Sequence, residues 1–116
     1  MNLEQLNAMT DLELDEAVAL MQGWTITTET FDENHGVRQW IGLGLLVDEG
    51  KYHPTANTSE GKTQAFELMV KHKIDFNPAD GIARYEDGNG AWIGVAINEK
   101  PLRAIAIAAI LSAQGK

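Results

Sequence analysis

The segment that most constrains this fold is a run of ten residues, Leu102–Leu111, in which only Arg103 is not apolar. Pro101 precedes the run and favours a helix start, because its ring fixes φ and its missing N–H is not needed there. A helix that is apolar on all sides must be covered on more than one side. We therefore predict that the other elements pack around this helix. The positions that must then be buried include Ile105, Ala108 and Leu111.

A β-hairpin is predicted directly before this helix. Ile82–Tyr85 has the composition of a short strand, and Ala91–Ile97 has that of its return strand. Between them, Glu86–Gly90 contains both Asp-Gly and Asn-Gly, the pairs that favour tight hairpin turns. The last third of the chain is thus predicted to form two antiparallel strands followed by the buried helix.

Another helix is predicted near the start of the chain. Thr10 and Glu13 match a capping box, so the helix should span about Asp11–Gln22 and stop at Gly23. The lead-in, Met1–Met9, should fray or form a turn. The apolar positions predicted to face the core are Leu14, Ala17, Val18 and Met21.

The middle of the chain is predicted to contain two extended segments and a helix. Trp24–Thr30 and Val37–Leu46 should be extended, with a loop over Phe31–Gly36 between them, and Asp48–Gly50 should form a turn. The helix should begin after a cap at Asn57, Thr58 or Ser59 and be followed by a connector over Asp75–Gly81. Its predicted core positions are Ala65, Phe66, Met69 and Val70.

These patterns predict an α+β domain in the order α-β-β-α-β-β-α, with three helices packed on an antiparallel sheet of about four strands. A chain of 116 residues can bury roughly two-thirds of its unfolded surface, so we expect one domain, residues 1–116. The chain contains no cysteine, which excludes disulfides and thiolate metal sites.

The acidic residues are concentrated in the first third of the chain. Residues 1–37 contain eight acids and no Lys or Arg, whereas the remainder contains nine acids and nine bases. Such a surface repels nucleic acid and attracts basic partners, although it can also serve only to keep a protein in solution. We predict no nucleic-acid partner. The candidate contacts for a protein partner are Asp11, Asp15 and Glu16.

No sequence motif indicates catalysis or metal binding. Gly61-Lys62-Thr63 resembles the end of a phosphate-binding loop, but Ala56 stands where that loop needs glycine, so a helix start is favoured. The histidines lack the spacing of a metal site, and there is no nucleophile elbow. We therefore expect a protein that is not an enzyme and that has no metal and no cofactor. The three histidines are His35, His53 and His72.

Arg103 breaks the apolar pattern at the start of the last helix, where the helix dipole disfavours a cation. Either its stem covers apolar surface while its head reaches water or a carboxylate, or it binds an anionic ligand. The other residues that could contribute to an anion site are Arg84, Lys62, Trp24 and Tyr52. The two aromatic residues could equally belong to the core.

Three blocks of the sequence resemble small phage proteins of the NinX type, which belong with the phage ABA-sandwich proteins. Thr10–Ala19 followed by Gly23-Trp24 looks like their opening, Tyr52–Ile74 is similar to their middle, and Lys100–Ile107 looks like their ending. Phe31–Lys51 matches nothing in that family. The resemblance implies an α/β/α sandwich and a phage or prophage origin, and it implies no reaction or ligand.

Two functions from different classes fit these observations. The first is a small non-enzymatic phage accessory protein that binds a host or phage protein, in a host-takeover or anti-defence role. The alternative is a sponge that sequesters an anionic small molecule such as a nucleotide signal. We expect the host cytoplasm as its location, because the N-terminal residues lack the features of a signal peptide. We expect no membrane partner, because the apolar run is shorter than the roughly 20 residues that a span needs.

Self-association is a further expectation. A domain this small has little material with which to cover a helix that is apolar on all sides, and uncovered apolar surface usually marks an interface. We therefore predict a homodimer that uses part of the last helix or its rim, with two-fold symmetry as the default arrangement. The competing interpretation is a monomer that encloses this helix with its own chain.

Overall fold

A computed structural model describes the chain over residues 2–32, 35–42, 45–48, 52–87, 89–96 and 100–114, with the backbone alone for residues 25–32, 35–42, 45–48 and 96. Four helices lie in these residues: α1 Leu3–Asn7, α2 Asp11–Met21, α3 Ser59–His72 and α4 Pro101–Gln114. Six strands lie there as well: β1 Thr25–Asp32, β2 His35–Gly42, β3 Leu45–Asp48, β4 Asp75–Asn77, β5 Ile82–Glu86 and β6 Trp92–Ala96.

The strands form two antiparallel sheets of three strands each, in the orders β1-β2-β3 and β4-β5-β6. In the second sheet, Ala83 pairs with Val95, and both side chains are buried. Since β5 and β6 pack against α4, these residues lie on the face that covers the helix. Side chains alternate between faces along a strand, so Arg84 and its neighbour Gly94 lie on the opposite face.

The structure confirms the α+β class, but it has two three-stranded sheets where one sheet of about four strands was predicted, and β4 lies in the predicted connector Asp75–Gly81. It also contains more helices than the predicted order. The additional helix is α1, which has a capping box between Asn2 and Gln5 and buries Leu6. The sequence had indicated only a fraying lead-in or a turn there. A local cap and one buried leucine are enough to order this single short helix, which packs against α4.

The strand boundaries also differ from the prediction. The expected single segment Val37–Leu46 is divided between β2 and β3, which pair with each other from Gly42 opposite Leu45. The expected loop Phe31–Gly36 is too long, because β1 continues to Asp32 and β2 already begins at His35. Residues 33–34 and 49–50 of the predicted loop and turn lie outside the described residues, and Asp48 belongs to β3.

Helix α2 begins and ends as predicted. The Thr10 hydroxyl accepts a hydrogen bond from the Glu13 backbone N–H at 3.2 Å, and the Glu13 carboxylate accepts one from the Thr10 N–H at 3.1 Å. At the other end, Gly23 adopts a φ of 81°, and the Trp24 N–H reaches the Ala19 carbonyl at 3.1 Å. This is the Schellman arrangement, in which a left-handed residue lets the chain leave the helix.

Helix α4 is buried as predicted, but the prediction that the other elements pack around it holds only in part, because β1, β2 and β3 are not among the described elements that pack against it. Ile105 and Ala108 are buried, and Leu111 is half-buried. Strands β5 and β6 pack against α4, and α1, α2 and α3 contact it as well. Among the described residues the central element is therefore a helix, whereas the sheet is central in the α/β/α sandwich that the resemblance implies.

The enclosure of the central part of α4 weakens the reasoning behind the predicted homodimer. The side chains from Ala106 to Ala109 have no exposed surface, although the prediction required part of the helix to remain uncovered. Its small residues let the neighbouring elements approach closely enough to surround it. A dimer cannot use this central part, but Leu111 and Ala113 near the end of the helix are only half-buried, and the predicted homodimer remains untested.

The predicted core face of α3 is only partly correct. Thr58 caps the helix as expected, accepting a hydrogen bond from the Gly61 N–H at 3.0 Å, and Ala65 is buried. Phe66 and Val70, however, are 64% and 66% exposed. The helix is rotated so that its inward face is centred on Gly61, Ala65 and Leu68, and the lack of bulk at Gly61 and Ala65 permits close contact with α4.

Gly61 explains the motif-like string Gly61-Lys62-Thr63. A Cβ atom on Gly61 would overlap the carbonyl oxygen of Ala56 and would lie 2.8 Å from that of His53. Only a residue without a side chain allows the segment before α3 to fold this tightly against the first turn of the helix. The glycine therefore has a packing role here.

We predict that Gly61→Ala destabilises the protein. In an exposed helix this change would add about 0.5–1 kcal/mol of stability through helix propensity. Here the new methyl group meets two backbone carbonyls that cannot rotate away, so we expect a net loss of about 1–3 kcal/mol in the free energy of unfolding. Urea denaturation measures the change. The control is Lys62→Ala at the adjacent exposed position, and a stabilised Gly61→Ala variant would contradict the packing.

Candidate functional site

An open groove lies between α2 and the C-terminal part of α4. Its volume is about 540 Å³, and its apolar lining comes from Met9, Ala17, Leu20, Met21, Ile110 and Ala113. We refer to it as the α2–α4 groove. The short side chains of Ala17 and Ala113 leave a depression that larger residues would have filled, and both remain half-buried. Leu20 is 55% exposed beside this depression. An accessible apolar depression of this kind can accommodate the side chains of another molecule.

The charged residues that line the α2–α4 groove are both acidic. Glu13 is exposed and Glu16 is half-buried. The hydrogen bonds that Glu13 makes with Thr10 lower the pKa of its carboxyl, so it is ionised at neutral pH. The groove thus combines apolar walls with negative charge, and it favours a partner that is apolar and basic.

Asp15, which was predicted to contact a partner, is not exposed as that prediction requires. It is buried, and its Oδ1 accepts hydrogen bonds from the Thr55 N–H at 3.1 Å and the Thr55 hydroxyl at 2.9 Å. The expected exposed position is wrong, because α2 turns this carboxylate toward the segment that precedes α3. Burial raises the pKa of Asp15, and the two hydrogen bonds partly offset the rise.

Asp11 and Arg103 come from different predicted sites, and the structure brings them together. Arg103 Nη1 lies 2.5 Å from Asp11 Oδ1, and Nη2 donates to the backbone carbonyls of Met9 at 2.8 Å and Asn7 at 3.4 Å. The guanidinium is buried, whereas Asp11 is about half-exposed. These partners compensate for a cation in the first turn of α4 and tie that turn to the end of α1. They match the predicted alternative in which the head of Arg103 reaches a carboxylate.

A smaller cavity lies at the start of α4. Its volume is about 310 Å³, and Lys100 and Arg103 line it together with Asp11 and Asn57. The first turn of a helix presents backbone N–H groups and a partial positive charge. The cavity therefore contains groups that can contact an anion, although Asp11 already neutralises much of the Arg103 charge.

Arg84 and Lys62 lie on other parts of the surface. Arg84 pairs with Asp80 at 2.9 Å and lines an open cleft of about 350 Å³ with Asp75 and Trp92. The hydrogen bond from Arg84 lowers the pKa of Asp80. Lys62 is exposed in the first turn of α3. The structure thus places Arg84 and Arg103 at two different cavities.

Trp24 and Tyr52 do contact each other. Their ring centroids are 4.5 Å apart with the planes inclined at 51°, and Tyr52 is buried. The Tyr52 hydroxyl accepts a hydrogen bond from Gln22 Nε2 at 2.7 Å, and burial raises the pKa of Tyr52 to about 12. The Trp24 indole N–H has no hydrogen-bond partner among the described residues. The pair lines a small cavity of about 130 Å³ and packs against the core.

The groove was not predicted from the sequence, although α2 contained a signal for it. Leu20 lies outside the predicted core stripe of that helix, and so does Leu12, which is 63% exposed. An amphipathic helix with leucines outside its core stripe has apolar surface that does not face the core. The sequence could not show that the end of α4 would complete a groove beside Leu20. Of the predicted interface residues, Glu16 lines that groove, Asp11 pairs with Arg103, and Asp15 is buried.

Comparisons with protein families, with curated proteins and with solved structures found no match for this chain. The comparisons therefore do not test the resemblance to phage ABA-sandwich proteins, which stays a prediction from the sequence. Within the described residues, no three or more His, Asp or Glu side chains are placed to hold a metal ion. No helix in this part of the chain combines the length and apolar character of a membrane span.

We predict that two substitutions of Asp15 distinguish the effect of its hydrogen bonds on stability from the effect of its charge. Asp15→Ala leaves the buried Thr55 N–H without its acceptor and should cost about 1–3 kcal/mol. Asp15→Asn keeps an acceptor oxygen and removes the charge. Because burial places the folded-state pKa of Asp15 above its ordinary 3.8, its contribution to stability is full below pH 3.8 and is lost as pH rises through the folded-state pKa.

Asp15→Asn should therefore gain stability relative to the wild type as pH rises from about 4 toward 7. Urea denaturation across that pH range measures the difference between the two proteins. A difference that stays constant with pH would contradict the raised pKa, and an Asp15→Ala variant as stable as Asp15→Asn would contradict the role of the Thr55 hydrogen bonds.

The two arginine pairs give a second prediction. Arg103→Ala should lower the free energy of unfolding by about 2–3 kcal/mol, because it removes charge-assisted hydrogen bonds from a buried guanidinium. Arg84→Ala is the matched control, since its pair with Asp80 is on the surface and such pairs contribute less than about 1 kcal/mol. Thermal or urea denaturation measures both variants. Equal losses would show that the Arg103 contacts do not stabilise the junction of α1 and α4.

Proposed function

We propose that this protein is a small non-enzymatic phage accessory protein that binds a host or phage protein in the host cytoplasm. The observation that carries the proposal is the α2–α4 groove, an apolar depression with half-exposed Leu20 and two glutamates. Covering such a surface removes apolar area from water, and this favours association. The phage origin and the host-takeover or anti-defence role rest on the sequence resemblance.

The chemistry of the groove suggests the form of its partner. The wall that α2 provides is a helix face, and helices commonly bind in grooves through apolar side chains spaced three and four residues apart. The acidic residues Glu13 and Glu16 favour Lys or Arg beside that apolar face. A basic amphipathic helix of the partner protein therefore fits this groove best.

We predict that groove substitutions abolish partner binding. The purified protein is used to capture proteins from a bacterial host lysate, and bound proteins are quantified by mass spectrometry. The variant Leu20→Ser with Glu16→Lys should reduce capture at least about tenfold, equivalent to about 1.4 kcal/mol. Both positions lie on the groove surface, so the fold should persist. Asp15 is unsuitable for this test because its hydrogen bonds support the fold.

The matched controls make the same two types of substitution, Leu to Ser and Glu to Lys, at positions outside the groove. Leu12→Ser lies on an exposed part of α2 and does not line the groove, and Glu86→Lys lies at the end of β5. Both controls should capture the partner as the wild type does. Equal capture by the groove variant and the Leu12 control would refute the groove as the binding site, and capture of no specific protein by the wild type would refute the function.

A second candidate function is the sequestration of an anionic small molecule. The cavity at the start of α4 favours it, because Lys100 and Arg103 line a space of about 310 Å³ at the positive end of the helix. Because Arg103 already pairs with Asp11, an anion in that cavity would depend mainly on the charge of Lys100. This makes sequestration the weaker candidate.

Thermal-shift measurements with a panel of nucleotides test this candidate. A nucleotide present at one hundred times its Kd adds about 2.7 kcal/mol to the stability of the folded protein, so the melting temperature should rise by several degrees. Lys100→Ala should abolish the rise, and Arg84→Ala should preserve it if the cavity at α4 is the site. No shift with any nucleotide would contradict sequestration of this class of ligand.

A further inference from the structure

Helix α3 carries an exposed apolar surface that the fold does not use. Phe66 and Val70 are one turn apart on the same side of the helix, and both are about two-thirds exposed. Lys62 lies one turn before Phe66, and Lys73 follows the last turn, so exposed lysines flank the apolar pair. We refer to these four residues as the α3 stripe. Its chemistry is apolar and basic.

The α3 stripe and the α2–α4 groove are complementary in both shape and charge. The stripe is a convex helix face with lysines, and the groove is an apolar depression with Glu13 and Glu16. The two surfaces share no residue, because the groove is built from α2 and α4. The chain thus presents the kind of basic helix face that its own groove favours.

We propose that the α3 stripe of one copy docks in the α2–α4 groove of a second copy. The alternatives in which like surfaces meet are disfavoured by charge. Two grooves face to face would bring Glu13 and Glu16 of both copies together, and two stripes would oppose their lysines. Contact between a stripe and a groove places lysines beside glutamates and covers Phe66 and Leu20 at once.

This contact is head-to-tail. A pair leaves the groove of one copy and the stripe of the other available, so the assembly can extend or close into a ring. We expect one helix face in one groove to bury less than the roughly 1,200 Å² of a standard interface, so the association should be weak and should depend on protein concentration. A second copy would compete with the partner proposed above for the same groove, but self-association does not require that partner.

Two variants and their mixture test the proposal. The stripe variant is Phe66→Ser with Val70→Ser, and the groove variant is Leu20→Ser with Glu16→Lys. Analytical ultracentrifugation should show that the mass of the wild type rises above 12.7 kDa with concentration, and that the rise weakens at high salt. Each variant alone should remain a monomer. Their equimolar mixture should form dimers and nothing larger, because one supplies the groove and the other the stripe.

Every other pattern of masses would overturn the inference. A wild type that stays monomeric over the whole concentration range would do so, and so would a mixture that stays monomeric. Self-association of the stripe variant alone would indicate contact between grooves, and self-association of the groove variant alone would indicate contact between stripes. Leu12→Ser is the matched control and should behave as the wild type does.

The outcome is distinguishable from that of the capture experiment. If the stripe variant captures a partner normally while the wild type never self-associates, the groove has a foreign partner and only this inference fails. If the wild type self-associates through stripe and groove but captures no protein, only the proposed function fails. The substituted residues Phe66, Val70 and Leu20 are all exposed, and circular dichroism with thermal denaturation verifies that each variant is folded.

Discussion

The structure depends on one constraint: α4 has no polar side that could face water. Its residues from Ala104 to Ile110 are almost completely buried, and helices α1, α2 and α3 together with strands β5 and β6 pack around it. Alanines alternate with isoleucines along the helix, and the alanines let neighbouring elements approach closely while the isoleucines fill the space between them. Apart from the β1-β2-β3 sheet, the described elements can be understood as a set that encloses one helix.

Arg103 is the one charged residue in α4, and its contacts connect this helix to the rest of the chain. Within the described residues, Arg103 makes its charged contact with Asp11 and adds hydrogen bonds to the backbone at the end of α1. Asp15 makes a comparable connection from α2 to Thr55 before α3. Both links join segments that are far apart in sequence, and both employ acids that composition alone would assign to a solvated surface. Two adjacent acids of α2 thus have different surroundings: Asp15 is buried, whereas Glu16 lines the α2–α4 groove.

Local signals were sufficient for part of this fold. The capping box at Thr10, the glycine after α2, the hairpin before α4 and the burial of α4 all depend on neighbouring residues, and the sequence predicts each of them. The rotation of α3 was not predictable, because Phe66 and Val70 form as good an apolar stripe as the buried Ala65 and Leu68. The close approach of Ala56 to Gly61 selects the observed face. The groove depends likewise on where the end of α4 meets α2, a contact between distant segments that no local pattern encodes.

The position of α4 in the chain also affects how the protein can be made. The contact between Asp11 and Arg103 joins residues 92 apart, so α2 cannot find its place until the ribosome has synthesised the last helix. At about 5–20 residues per second, the interval between the two residues is roughly 5–20 s. During that time the apolar side of α2 has no α4 to cover it. Contacts between such distant residues also slow folding itself, so the nascent chain is a better substrate for chaperones and proteases than the finished domain.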